Sequence, residues 1–597
     1  MSKRNQEKQG MASAKSLQHF ASLKFGLFLH WGLYAIPGGR WDGQTIPCIG
    51  EWFQAWTRMP DQQYAGYADQ FNPVDFDAEG LVRTAAETGM KYLVFTAKHH
   101  DGFAMYHSRV SPFNIVDGSP FRRDPLRELA DACAKYGMPL GIYYSQNLDW
   151  HEKDGGDPGP DYPPNVCDLP WGNNWDFPDW KGKHFERFFR NKVIPQVTEL
   201  LLGYGPVLLM WFDCPLSMDE KYSRELYELV HRLQPECLVN MRVGNNYGDY
   251  GVLGDNQLLA GRRGNGAFES PGTLNGTWGF KYDDHRWKSA HQVIDQLLSL
   301  AEKNSNYLLN IGPMANGALP PECLPVLKEV AHWYRTHAEG LRGTTGSGFP
   351  QTFDFAYCTT GERKLFFYLR KPLKTIEIYG IRTPILRAGV PFEQNGAHVR
   401  LTLPDFGDEM FPLIELVFAS APEIDQSFCE QSGSMSLPAP GGRIEAGSGT
   451  GHSAGTGTVS VAGEYIPSSG HMAIAVDGSL RQWHNPEDRI MWRVRFPGAG
   501  RFEASMVTKY CWSDHWTGDR QVELSFNGRR IVTTLCDDKL ELQPGYAQAE
   551  SKLGIWEIQA GEEGEMILRT LKINSAEAEK MHLVCLRFDR QASEPES

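Results

Sequence analysis

The chain has 597 residues, with 59 Lys and Arg against 73 Asp and Glu, a formal net charge of -14. A surface of that sign does not neutralise a run of phosphates, so nucleic acid is excluded as the main ligand. No stretch approaches the roughly 18 consecutive apolar residues of a membrane span. With 61 Gly, 37 Pro and 17 Trp the composition is globular and loop-rich, and at about 150 residues per domain the length fits two or three domains if one is a large barrel.

Residues 1–19 are polar and basic and lack the apolar core of a secretory signal, so they are expected to form a mobile tail. Eleven cysteines are scattered with no CxxC pair, which argues for reduced thiols and a cytoplasmic location and against a structural zinc site. From about 20 to 340, short β-branched or aromatic runs alternate with helix-period segments. The predicted strands are Lys24–Leu29, Tyr92–Thr96, Leu140–Tyr144, Val207–Phe212, Leu238–Met241 and Tyr307–Asn310. The predicted helices are Phe76–Thr88, Asp124–Tyr136, Phe185–Tyr204, Tyr222–Leu233 and Ser289–Lys303, each stopped near Gly or Pro. Apolar strands buried on both faces, each followed by a helix, predict an α/β fold of the (β/α)8 barrel type. The two strands not visible in the pattern are expected near Gln257–Ala260 and within the loop 41–75.

Past residue 340 the period becomes two, in Lys364–Leu369, Thr375–Tyr379, His398–Leu403 and Leu413–Phe418, which predicts an antiparallel β-sandwich over 341–430. A Gly/Ser/Pro-rich stretch at 431–463 reads as a linker. Residues 464–597 read as a second β-sandwich, an accessory module outside the catalytic site, with Trp483, Trp512 and Trp516 as candidate glycan-binding aromatics.

In a barrel, the residues at the carboxyl ends of the strands face the active site. Here they are His30, then His99, His100 and Asp101, then Tyr144, Asp213, Arg242 and Asn310. Asp213 stands out because a carboxylate directly after the apolar run Val207–Phe212 must be paired or open to a cleft. An ionised carboxylate there can attack an anomeric carbon or stabilise an oxocarbenium ion, and a second carboxyl group must then protonate the leaving group. Glu51 and Glu269 are the candidates for that acid, each beside an aromatic residue in an expected loop, where shielding raises a carboxyl pKa. Loop tryptophans, Trp41, Trp52, Trp56, Trp150, Trp171, Trp175, Trp180 and Trp278, offer faces on which sugar rings stack.

The segments Lys24–Tyr34, Glu51-Trp52-Phe53, Thr96–Phe103, Gly141–Ser145, Trp211-Phe212-Asp213 and Leu308–Pro313 together resemble the α-L-fucosidases of glycoside hydrolase family 29. The resemblance covers about residues 20–340 in six motifs kept in chain order. It implies a (β/α)8-like TIM barrel followed by a β-sandwich, and exo-hydrolysis of terminal α-L-fucose from fucosylated glycans or oligosaccharides. Retention through a covalent glycosyl-enzyme, with no metal or other cofactor, is implied as well. Under it Asp213 looks like the nucleophile and Glu269 lies in the usual acid/base region, with Glu51 kept as the alternative. His30, His99 and His100 resemble the histidines that hold the fucose hydroxyls, with Tyr144, Trp211 and Arg242 beside them and Trp52 and Trp278 walling the ring. Cys214 and Pro215 stand where the family commonly has glycine. Two rival readings are a metal-dependent barrel hydrolase using His30, His99, His100 and Asp101, and a non-catalytic sugar-binding protein. Against the first, adjacent His99 and His100 on an extended strand end are expected to point apart.

Overall fold

The computed structural model describes residues 12–591, apart from 156–169, 217, 265, 448–457, 460–464, 467–471, 512, 514, 544–545 and 576–579. Eight parallel strands form its N-terminal part: β1 Phe25–Leu29, β2 Tyr92–Lys98, β3 Leu140–Ser145, β4 Val207–Asp213, β5 Leu238–Val239, β6 Gly251–Val252, β7 Phe268–Thr273 and β8 Ser305–Ile311. They run in the order β5-β4-β3-β2-β1-β8-β7-β6. The two ends of this sheet meet through a parallel bridge between Asn240 and Tyr250, so the strands close on themselves as a TIM-like barrel. Asn240 extends the two-residue β5 with its side chain, taking Phe212 N–H at 3.0 Å and donating to Phe212 O at 2.9 Å.

The flanking helices form where the sequence supplies both ends. In α2, Ala78–Thr88, the Asp77 carboxylate caps Gly80 N–H and Gly89 ends the helix at φ 99°. In α3, Pro125–Tyr136, Asp124 caps, proline occupies the first turn and Gly137 stops the helix at φ 64°. Ile194–Gly203 is α4, Glu220–Leu233 is α5, and α6, Ala290–Glu302, starts with a Ser289/Gln292 capping box. Cys323–His337 is α7. The ring of helices has a gap. After β5 comes only a 3-10 turn at Met241–Val243, and among the described residues no helix follows β6.

The structure corrects three expectations from the sequence. The hidden strands are β6 and β7, not 257–260 or the 41–75 loop, whose only strand pairing is the short hairpin Arg40–Trp41 with Gln44–Thr45 and which otherwise holds short helical turns. Residues 14–23 of the chain, six of the ten inside the expected tail, form α1, Ala14–Leu23, capped by Ser13. Its Phe20 is fully buried against Tyr92 and Tyr250, at ring-centroid distances of 5.7 and 4.6 Å, and plugs the amino-terminal end of the barrel. The stretch read as a linker supplies two strands of the last domain, Ser434–Pro438 and Arg443–Glu445. Its centre, 448–457, lies outside the described residues. Deleting the Phe20 ring leaves a cavity that the rigid floor cannot close, so Phe20→Ala should cost about 3–5 kcal/mol, read as a lowered denaturant midpoint with unchanged m-value.

Residues 356–418 fold as two facing antiparallel sheets of four and three strands around Phe353, Leu365, Phe367, Ile378 and Leu416. The third domain begins at Phe428–Cys429 and is a larger sandwich whose longest strands are Gly500–Cys511, Tyr546–Ile558 and Glu562–Ile573. Trp483 is fully buried there, its indole N–H on Met581 O at 2.6 Å and its ring 4.0 Å from the Arg520 guanidinium. It is core and no glycan platform. Trp516 is half-buried and bonded to Thr508 Oγ1, and Trp512 lies outside the described residues.

Candidate active site

Asp213 ends β4 with its side chain at the open, carboxyl end of the barrel. One of its oxygens takes Arg242 Nη1 at 2.8 Å and the other takes the Tyr143 hydroxyl at 2.9 Å. Its backbone N–H donates to Gln146 Oε1 at 2.8 Å, which pins the strand end. Burial opposes the negative charge, but the Arg242 guanidinium and the Tyr143 hydroxyl hold the carboxyl below its ordinary pKa, so Asp213 is ionised at neutral pH. Cys214 follows with φ 50°, in the left-handed region where glycine is free of strain. That is the backbone reason the departure from glycine at this position matters.

The three histidines gather around this carboxylate. Asn310 donates its Nδ2 to Trp278 O at 2.8 Å, so its Oδ1 faces His30 Nδ1 at 2.7 Å and fixes the proton there. Ser145 donates to Leu148 O and accepts from His100 Nδ1 at 2.7 Å. The His100 Nε2 lone pair is thereby turned toward Asp213, 3.8 Å away. Burial pushes His30 down to about 3, His100 down to about 4, and His99 well below its ordinary value, so all three are neutral. His99 Nδ1 is buried with no hydrogen-bond partner. Two imidazoles thus present acceptor nitrogens, the form that receives a sugar hydroxyl. Contrary to the alternation expected of a strand, the His99 and His100 rings lie together, with centroids 4.1 Å apart, because β2 ends at Lys98 and the chain turns.

Tyr144 does not belong here. It points outward from β3 and bonds Gln196 Oε1 on α4 at 2.8 Å, while Tyr143 points inward, in register with Trp211. Loss of one donor to a buried carboxylate costs about 1.5–3 kcal/mol, so Tyr143→Phe should reduce kcat/KM at least about tenfold. It should also raise the Asp213 pKa and so move the acidic limb of the pH profile to higher pH. Tyr144→Phe should leave that profile in place. Trp278 packs on His30 at 5.1 Å and Trp52 on His100 at 5.3 Å, so both indoles lie beside the histidine cluster. Trp150 and Trp175 spend their indole N–H groups on backbone carbonyls and anchor loops.

Neither glutamate sits where a leaving-group acid must. Glu269 is the second residue of strand β7, in no loop, and it points into the closed lower half of the barrel. It is fully buried, and its two oxygens are taken by Tyr92 OH and Trp211 Nε1, both at 2.7 Å. Burial raises it to about 7. Trp211, with the Arg242 guanidinium 4.8 Å over its ring, lies between Glu269 and the Asp213 end of the barrel. Glu51 occupies a buried 3-10 turn, Gly50–Trp52, where its Oε2 takes Gly279 N–H at 2.7 Å and burial raises it to about 8. It braces the Trp278 loop.

The carboxylate that does share the cleft was not singled out by the sequence. Asp255, three residues beyond β6, takes the second guanidinium nitrogen of Arg242, Nη2, at 2.6 Å, and its side chain is 26% exposed where that of Asp213 is 11% exposed. Burial and the Asp213 charge, opposed by Arg242, hold Asp255 above its ordinary pKa. One guanidinium therefore carries two carboxyl groups whose surroundings push their proton affinities in opposite directions, the pattern that separates an acid from a base. The signal in the sequence is Gly254-Asp255-Asn256 following an apolar dipeptide, too short to register as a strand.

His100, Asp213 and Cys214 lie close enough to share a cation, but Asp213 is already paired with the fixed charge of Arg242. Asp101 bonds Tyr64 OH and Phe103 N–H, so it does not converge with the histidines as a ligand set. What the cleft offers is a split carboxyl pair, neutral imidazole acceptors and indole walls at the mouth of a barrel, and that equipment defines a glycoside hydrolase.

The chain belongs to the α-L-fucosidase family, whose model, described as Alpha-L-fucosidase, matches residues 2–339. It is 28% identical over 342 residues to a putative alpha-L-fucosidase of Caenorhabditis elegans, covering 54% of this chain and 65% of that protein. To the tissue alpha-L-fucosidase of Mus musculus it is 28% identical, covering 54% and 70%. The crystal structure of the alpha-L-fucosidase from Vibrio sp. strain EJY3 superposes with a TM-score of 0.78 at 26% identity, over 98% of this chain and 100% of that one. The alpha-L-fucosidase of Lactobacillus casei in complex with α-L-fucose product is 39% identical, with a TM-score of 0.51, over 54% of this chain and 98% of that one. Among the described residues no helix is long and apolar enough to cross a membrane.

Proposed function

We propose that this enzyme removes terminal α-L-fucose with retention of configuration, Asp213 attacking the anomeric carbon and Asp255 serving first as acid and then as base. The observation that carries the reading is the Arg242 bridge, which holds both carboxylates on one cation while one is ionised and the other is biased toward its protonated form. Retaining enzymes need the pair about 5–5.5 Å apart, a span that one bridging guanidinium suits. Asp255 protonates the departing oxygen as the Asp213 carboxylate forms a glycosyl ester. Asp255, now ionised, takes a proton from water as that water releases the sugar. Arg242 stays charged through both steps and limits the spread of the proton affinities.

His30 and His100 accept sugar hydroxyls through Nε2, with His99 beside them, and a sugar with a misplaced hydroxyl leaves a buried nitrogen unpaired at about 1–3 kcal/mol each. The first disaccharide to assay is Fuca(1,6)GlcNAc, which a variant of the Lactobacillus casei enzyme holds in its crystal structure. The test follows hydrolysis of 4-nitrophenyl α-L-fucoside by NMR. The α-anomer is expected to appear first, with α- and β-D-galactosides turned over at least about a hundredfold more slowly. Early β-anomer would overturn the covalent route, and equal turnover of a D-galactoside would overturn the substrate assignment.

A further inference from the structure

The loop that carries Asp255 has little scaffold of its own, because it lies in the gap of the helical ring between β6 and β7. Its first part is tied to the barrel: Asn256 N–H donates to Pro271 O at 3.0 Å, and Asn256 Oδ1 takes Thr273 N–H at 2.9 Å. Its second part is tied to the third domain, which fills the gap. Ala260 N–H donates to Asp477 O at 2.8 Å, at the tip of the hairpin that joins Ala473–Ile474 to Leu480–Arg481. A Cβ on Gly261 would lie 2.7 Å from Pro438 Cβ, and one on Gly478 would lie 3.4 Å from the Gly261 backbone, so the two segments touch directly. Gln257, two residues after Asp255, is 3% exposed, and its Oε1 faces Cys511 Sγ at 3.9 Å, at the end of the strand Gly500–Cys511. The hairpin tip is itself rigid. Asp477 accepts from Ser479 N–H and Oγ and pairs with the buried Lys509, and the turn closes at Gly478 with φ 79°.

We propose that the third domain is a working part of the catalytic apparatus, whose hairpin tip and Cys511 position the loop bearing Asp255 and so set the reach of the proton donor toward the leaving group. Under this proposal the module expected to lie outside the catalytic site contributes to it. The proposal rests on Asp255 being the acid, and a displacement of a catalytic group by about 1 Å can cost about a hundredfold in rate. A misplaced acid hurts only substrates whose leaving group needs its proton, which separates positioning from general damage.

The experiment compares kcat/KM for methyl α-L-fucoside and 2,4-dinitrophenyl α-L-fucoside in the parent enzyme and in Cys511→Phe, Asp477→Asn and Asp255→Ala, with thermal unfolding of each. Cys511→Phe pushes a ring at Gln257, and Asp477→Asn keeps the turn acceptor but releases Lys509. Both are expected to lose at least about tenfold more rate on the methyl than on the dinitrophenyl fucoside, in the direction of Asp255→Ala. Cys511→Ala, which removes the Sγ facing Gln257 without adding bulk, should shift the ratio in the same direction and by less than Cys511→Phe. Equal losses on both substrates, or none, in a folded variant would overturn the proposal while Asp255→Ala still shows the selective loss. If Cys511→Phe does not fold, Asp477→Asn decides. Absence of selectivity in Asp255→Ala itself would instead remove the acid assignment, and the proposal with it.

Discussion

Asp213→Ala is expected to abolish turnover, with kcat/KM falling by about 10⁴-fold or more on activated and unactivated fucosides alike. A nucleophile cannot be replaced by positioning alone, and removal of a comparable group in other covalent enzymes leaves only the rate that binding and electrostatics supply. The loss is chemical and not structural. With Asp213 gone, Arg242 still holds Asp255 at 2.6 Å and Leu253 O at 3.0 Å, so its buried charge keeps partners. The stability cost is then that of the hydrogen bonds removed, about 1–3 kcal/mol, and a thermal scan should show a single shifted transition. A variant that unfolds outright would mean that Asp213 holds the barrel together.

Asp255→Ala is expected to split substrates by their leaving groups. General acid catalysis contributes about 10²–10⁴-fold, so methyl α-L-fucoside should lose a rate of that order while 2,4-dinitrophenyl α-L-fucoside loses little in kcat/KM. The pH profile should change with it. In the parent enzyme Asp213 must be ionised and Asp255 protonated, which gives an acidic limb from the lowered group and a basic limb from the raised one. Asp255→Ala removes the basic limb and keeps the acidic one. Glu269→Gln and Glu51→Gln should show neither the leaving-group split nor the lost limb, since Glu269 is sealed behind Trp211 and Glu51 is held by Gly279 N–H.

The parts of the molecule legible in the sequence are those where burial imposes a pattern. β1 to β4 and β8 are near-continuous apolar runs because both of their faces are covered, and α2, α3 and α6 announce their ends through Asp77, Asp124 and Ser289. His30, His99, His100 and Asp213 follow directly from what terminates those strands, and Arg242 from the predicted strand Leu238–Met241, of which only the first two residues are strand. The failures cluster where a strand is too short to have a period. β6 is two residues long, so no strand pattern marks the carboxylate beyond it, and Glu269 reads as a loop residue because β7, Phe268–Thr273, contains Pro271 and two non-apolar neighbours that mask its strand character. Tyr143 and Tyr144 could have been separated from register, since Trp211 and Asp213 share a face and Tyr143 pairs with Trp211. The third domain's share in the site is a tertiary contact between residues more than 200 positions apart, Gln257 and Cys511. No local pattern encodes it.

Asp213 and Asp255 divide the work of the reaction, and the anomeric configuration of an azide product distinguishes their roles. In Asp255→Ala the ester on Asp213 still forms from 2,4-dinitrophenyl α-L-fucoside, and azide enters the space the carboxyl group leaves. Two inversions then give α-L-fucosyl azide. In Asp213→Ala no ester forms, and azide attacking the substrate directly gives the β-anomer in a single inversion. Finding α-azide with Asp255→Ala and β-azide with Asp213→Ala is the result expected. α-Azide from Glu269→Ala or Glu51→Ala, with none from Asp255→Ala, would contradict the assignment.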